Sequence, residues 1–208
     1  MSRSYKWIGG IGYVLTFVPY VNFVASILVA IAWIMMGKDT EEKTFTITGA
    51  LMLASFVLGI ILVGILFASL PGLATLSSLK PGIGFFQALG PFLVAFLVTA
   101  LIAAAVGLAT FVFEVVSHFK AAKIFDNTWF KLAGWFRIAL IVVAIISIPL
   151  IIFNIAGLAA LSHLAPGPSI LGALLSIFWP LIIVLIIGLL STVFSIVGFF
   201  TIPEEAQT

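Results

Sequence analysis

The sequence predicts an all-α, polytopic integral membrane helix bundle: four full spans, a Pro-broken N-terminal segment, and two helical hairpins related as parallel repeats. Three observations predict it. Of 208 residues, 63% are hydrophobic and 8% charged, and the mean hydropathy is +1.38. A soluble domain carries about 25% charged residues, so nine basic and seven acidic side chains cannot clothe a water-soluble surface. Second, the apolar residues fall into uncharged runs, and about 20 such residues suffice to cross a bilayer. Third, GLATLSSLKPG at 72–82 returns as GLAALSHLAPG at 157–167, with eight of eleven positions identical at an offset of 85. There is no Cys, which excludes disulfides, thiolate metal sites and thiol nucleophiles.

The first element, residues 1–36, holds an apolar run from Trp7 to Met36 that is broken at Pro19 after Gly9, Gly10 and Gly12. Arg3 and Lys6 ahead of it imitate a signal peptide, but a chain starting at Met1 is expected to keep this stretch. As one helix the run would be about 45 Å long, well beyond a hydrocarbon core of about 30 Å. Between a single crossing and a Pro19-centred, re-entrant hairpin, the distribution of basic residues favours the hairpin, with its unpaired backbone buried against protein. GKDTEEKT at 37–44 is a polar loop.

Residues 45–117 form the first hairpin. A run from Phe45 to Leu70 leads into the first copy of the repeated loop, and Pro91 opens the returning span to Ser117. Pro suits a first helical turn, where its missing N–H has no partner anyway. Residues 118–136 form a basic, aromatic loop, HFKAAKIFDNTWFKLAGWF, expected as an interfacial helix whose lysines reach anionic headgroups. A docking surface for a cytoplasmic partner is the alternative. Residues 137–202 form the second hairpin, with Ile170–Phe178 as a short interfacial helix and Pro180 opening the last span. A tail, 203–208, follows.

Each repeated loop is the outer turn of a hairpin that runs inside, out, inside, so the duplication is parallel about an axis along the membrane normal. The helix after each loop carries small residues at helical spacing: Thr99, Ala103 and Gly107 in one, and Gly188, Ser191, Ser195 and Gly198 in the other. Small residues let helices approach closely in lipid. Both stripes are expected to be packing seams within the chain, with subunit contact as the second use.

Membrane catalysis usually leaves expensive charged or metal-binding residues in the spans. Glu114 is the one carboxylate inside an apolar run, and the expected role is an interfacial acid paired with His118 or Lys120. His118 and His163 are expected on opposite sides of the membrane, which excludes joint metal or haem ligation. Asn22 and Asn154 are expected as buried, hydrogen-bonded helix contacts. GGIG at 9–12 lacks the strand and helix context of a phosphate loop. Trp7, Trp33, Trp129 and Trp135 fit an aromatic belt. The sequence thus offers no catalytic, cofactor-binding or metal-ligating set, and nothing suggests nucleic acid as a partner.

The ends of the chain, KWIGGIG at 6–12 running into VPYV at 18–21 and FFTIPE at 199–204, together with Lys123-Ile124-Phe125, resemble an archaeal integral membrane family catalogued as domain of unknown function 996. The resemblance implies a small multi-pass membrane protein and assigns neither activity nor site residues. The expected function is a non-catalytic accessory or scaffold subunit of a larger membrane assembly, energy-transducing complexes being one class it could serve. The expected partners are membrane lipids and other integral subunits, or a second copy held through small-residue faces. A small transporter or channel-like protein is the alternative.

Basic residues in short loops collect on the cytoplasmic side. A re-entrant first segment puts eight of the nine basic residues inside, with Lys80 outside and both termini cytoplasmic in the cell membrane. Cysteines introduced at Ser2 and Ser78 are expected to be labelled by an impermeant maleimide from opposite sides. Labelling of both from outside would mean that the first run crosses once.

Overall fold

The computed structural model describes the backbone of residues 3–76, 83–161 and 170–204, and the side chains of these except 69–76, 83–89, 157–161 and 170–177. The described residues form six helices: α1 (Ser4–Leu15), α2 (Asn22–Asp39), α3 (Lys43–Leu76), α4 (Ile83–Ile124), α5 (Thr128–Leu161) and α6 (Ile170–Phe200). Helix is the conformation in which a spanning segment satisfies its own backbone without water. Five of them, α2 to α6, are long and apolar enough to cross a membrane. One more helix thus qualifies than the four expected as full spans. The tips of the repeated loops, with Lys80 and His163, lie outside the described residues.

Contacts divide the chain into two compact units, Arg3–Ser117 and one built on His118–Thr208. In the first, α1 and α2 are antiparallel. Tyr5 Oη donates to Asp39 at 2.8 Å, Arg3 lies 3.7 Å from the same carboxylate, and a Cβ on Gly12 would sit 2.9 Å from Val29 Cγ2. Arg3 and Asp39 therefore share one end of a helical hairpin. Burial, and then the hydrogen bond to Asp39, push the Tyr5 phenol well above its ordinary pKa.

The turn between them departs from expectation. Residues 16–20 are exposed rather than covered by protein, and Tyr20 is 92% exposed with a positive φ of 65°. The backbone solves the problem locally. Thr16, Phe17 and Val18 donate to the carbonyls of Tyr13, Val14 and Leu15, and Val21 donates to Val18. These are 3₁₀-type bonds that tighten a helix end, and Pro19 has no N–H to lose.

Helix α3 packs antiparallel on α2. Gly49 faces the Ala30 carbonyl and Gly37 faces Thr46, both closer than a Cβ would permit. Trp33, expected at the interface, is fully buried here and lies 5.4 Å from Phe45. Its position on α2 turns it toward α1 and α3, whereas Trp7, Trp129 and Trp135 are exposed as belt residues should be. Hydroxyls hold α3 to α4: Thr48 to Ser117 at 2.7 Å and Ser55 to Thr110 at 2.9 Å. The residue numbers fall on one helix as they rise on the other, so this pair is antiparallel.

In the second unit α5 and α6 are antiparallel. Ser191 Oγ donates to the Ala133 carbonyl at 3.2 Å. Gly198 lies under the Phe130 ring, where a Cβ would approach to 3.0 Å, and a Cβ on Gly188 would meet Leu140 at 3.6 Å. The α6 stripe is therefore a seam within the chain. The α4 stripe is divided: Thr99 and Ala103 are half-buried on the side where Thr110 bonds Ser55 of α3, whereas a Cβ on Gly107 would meet nothing described beyond its own helix.

Two expected boundaries also differ. Pro180 lies inside α6 and Pro91 inside α4, so neither opens a separate span. An interior Pro forfeits one hydrogen bond, whereas ending the helix would strand several backbone groups in lipid. The segment 118–136 is the end of α4, a short turn, and the first turns of α5. At that turn Asn127 N–H reaches back to the Ala122 carbonyl at 2.9 Å, and Asp126 has a positive φ of 46°. This is a Schellman closure.

Gly198→Leu is expected to force α6 off Phe130 and to destabilise the protein by about 1–3 kcal/mol. Gly107→Leu is expected to leave the melting midpoint of the isolated chain unchanged. Thermal melts of both variants in detergent check the contrast.

Candidate functional site

The acid singled out in the sequence is buried, with Glu114 9% exposed. Its residue type is costly at this depth, and the fold supplies a partner far away in sequence. Tyr13 Oη donates to Glu114 Oε1 at 2.9 Å across 101 residues. Trp33 Nε1 lies 3.4 Å from Tyr13 Oη. Spacing along α4 points to His118 and Lys120 as partners of Glu114 and carries no sign of Tyr13. A signal was available: Gly9, Gly10 and Gly12 are buried, and Gly12 lets α2 close on α1 at the turn that carries Tyr13. The glycines seen as a failed phosphate loop are a contact surface.

One helical turn further, Thr48 Oγ1 meets both Ser117 Oγ and, at 3.1 Å, the Phe113 carbonyl. Thr48 also returns a bond to the Thr44 carbonyl at 2.9 Å. These hydroxyls join helices and leave little to offer a solute.

The second unit has its own buried polar cluster. His118 is fully buried, with Nε2 3.0 Å from Ser195 Oγ and its ring edge-on to Phe130 at 5.9 Å. Ser195 donates to the Ser191 carbonyl at 3.0 Å. Its single proton can serve one acceptor, and donation to the Ser191 carbonyl leaves Ser195 Oγ to accept from the Nε2–H tautomer of His118. Arg137 Nη2 approaches the same oxygen at 3.4 Å. A serine that accepts from histidine is not activated by it, because nucleophilic catalysis needs the reverse direction.

Asn127 uses both polar atoms of its side-chain amide. Its Oδ1 accepts from Trp129 N–H at 3.0 Å, capping α5, while Nδ2 donates to the Gly198 carbonyl and to Thr201 Oγ1, each at 3.0 Å. The two asparagines expected as interhelical contacts fare differently. Asn22 is exposed at the start of α2, and Asn154 is half-buried.

Among the described residues no three His, Asp or Glu side chains come together to hold a metal ion. No family model, curated protein or solved structure matches the chain.

Tyr13→Phe removes the donor to a buried carboxyl and is expected to cost about 1–3 kcal/mol. Glu114→Gln keeps a carbonyl oxygen for Tyr13 and is expected to cost less. Melting midpoints of the two variants, compared in one detergent, test this order.

Proposed function

We propose that this chain is a non-catalytic accessory or scaffold subunit of a larger membrane assembly, energy-transducing complexes being one class it suits. The observation that carries the proposal is the open ground at Gly107 on α4, where a Cβ would meet no neighbouring helix among the described residues. Small residues favour helix–helix contact in lipid; Thr99 and Ala103 are half-buried on the side of α4 that carries Thr110, which bonds Ser55 of α3, and Gly107, at the edge of that stripe, is exposed. A helix of another subunit, or of a second copy, fits such a face.

In this reading the protein lies in the cell membrane with both termini cytoplasmic. The antiparallel α1–α2 pair supports that orientation, because it sets Arg3 and Lys6 at the same end as Lys38. With 18 residues, α2 is about 27 Å long, close to the hydrocarbon thickness. Tyr20 then reaches the far headgroup level, where a Tyr and a polar turn are tolerated. The parallel relation of the two hairpins and the resemblance of the chain's ends to domain of unknown function 996 belong to the same proposal.

The Tyr13–Glu114 pair motivates a second reading, a small transporter in which Glu114 changes protonation or ligation during a cycle. Purification in mild detergent distinguishes the two. The parent is expected to bring down a defined membrane partner or a second copy, Gly107→Leu to lose it while remaining folded, and Gly107→Ala to retain it. The purified chain is expected to move no ions or small solutes across liposomes. Reproducible flux, abolished by Glu114→Gln in a folded protein, would replace the accessory reading with the transporter.

A further inference from the structure

The end of α4 and the start of α5 border an open hollow of about 370 Å³, lined among others by Phe119, Lys123, Asp126, Thr128 and Lys131. A water occupies about 30 Å³ of liquid, so the space admits a phosphate group with the atoms attached to it. Lys123 and Lys131 stand on the two sides of the turn, and among the described residues no carboxylate lies within ion-pair reach of either. Asp126 also lines the cavity, leaving two cationic groups against one anionic group. Thr128 adds a hydroxyl at the first residue of α5, where the partial positive charge of the helix also favours an anion.

The location bears on the source of that anion. The cavity lies between the candidate spans Gly90–Ile124 and Thr128–Ala156, at the ends of both. Where such helices cross a bilayer, their ends lie at the level of the phospholipid headgroups. Ile124, Trp129 and Trp135 are exposed in the same stretch, and Trp135 packs edge-on against Phe119 of the cavity wall at 5.5 Å. Apolar and aromatic surface thus adjoins a basic hollow, as an acyl chain and its headgroup would require.

We propose that this cavity binds the phosphate of an anionic phospholipid, held by Lys123, Lys131 and Thr128. The proposal is independent of whether the chain serves as a subunit or a transporter. It is specific to one hollow, unlike general attraction of basic loops to a charged leaflet.

Native mass spectrometry of the purified full chain, titrated with phosphatidylglycerol or phosphatidylcholine, tests it. One phosphatidylglycerol is expected to bind in preference to phosphatidylcholine, and Lys123→Gln/Lys131→Gln to weaken it by about tenfold or more. Lys38→Gln/Lys43→Gln removes the same charge elsewhere and is expected to bind as the parent does. Melting midpoints without lipid verify that both double variants are folded, and the single variants Lys123→Gln and Lys131→Gln replace a double that is not. Equal binding by the cavity variants and the parent, or equal loss in both double variants, would overturn the site. Displacement of the lipid by millimolar inorganic phosphate would assign the cavity to a soluble anion instead and overturn the lipid proposal.

Discussion

A peptide group that enters hydrocarbon must find its hydrogen-bond partner within the protein, and the rest of this structure depends on that constraint. It explains why the described chain is helical almost throughout and why Pro91, Pro149 and Pro180 lie inside helices rather than between them. Losing one bond at a proline is a smaller cost than opening a helix end. The same constraint shapes the turns. At Pro19 a run of short-range bonds satisfies the N–H groups one after another. At Asp126 a left-handed residue lets the next N–H fold back onto the helix that has just ended.

With backbone satisfaction assured, side chains decide which helices meet. Lipid is as apolar as leucine, so hydrophobicity alone gives no reason for association. Contacts instead form where bulk is missing or where polar atoms need partners. Gly12, Gly37 and Gly49 bring α1, α2 and α3 together, and Thr48, Ser55, Thr110 and Ser117 join α3 to α4. On α6, Ser191, Ser195 and Gly198 face α5. Away from these points the long helices carry exposed aliphatic side chains, which is the ordinary condition of a lipid-facing surface.

Much of this was legible in the sequence. Composition and run length predict the membrane class, Pro19 and its preceding glycines predict the first break, and the α6 stripe predicts the α5–α6 contact. The limits have physical causes. Small residues at helical spacing identify a face capable of close approach but not whether the same chain supplies every neighbour, which is why Gly107 of the α4 stripe stays open while the α6 stripe is covered by α5. A Trp near a span end suits both a belt and a core, and Trp33 enters the core because of the helix face it occupies. Glu114 was evident as a costly acid. Tyr13 was not evident as its partner, because the bond depends on how α1 returns along α2, and local spacing carries no information about that. The expected separation at Pro180 fails because proline's preference for a first turn is weaker than lipid's intolerance of a broken ladder.

Asn127 joins three helix ends: its backbone N–H closes α4, and its side-chain amide caps α5 and holds the end of α6. The consequence is cooperativity in local opening. Helix ends ordinarily fray independently, at little free-energy cost. Here the Gly198 carbonyl and the Thr201 hydroxyl are tied to the residue that caps α5, so the end of α6 shares its fluctuations with a turn more than 70 residues earlier. Such a tie favours opening of the two regions together, as one unit of exchange.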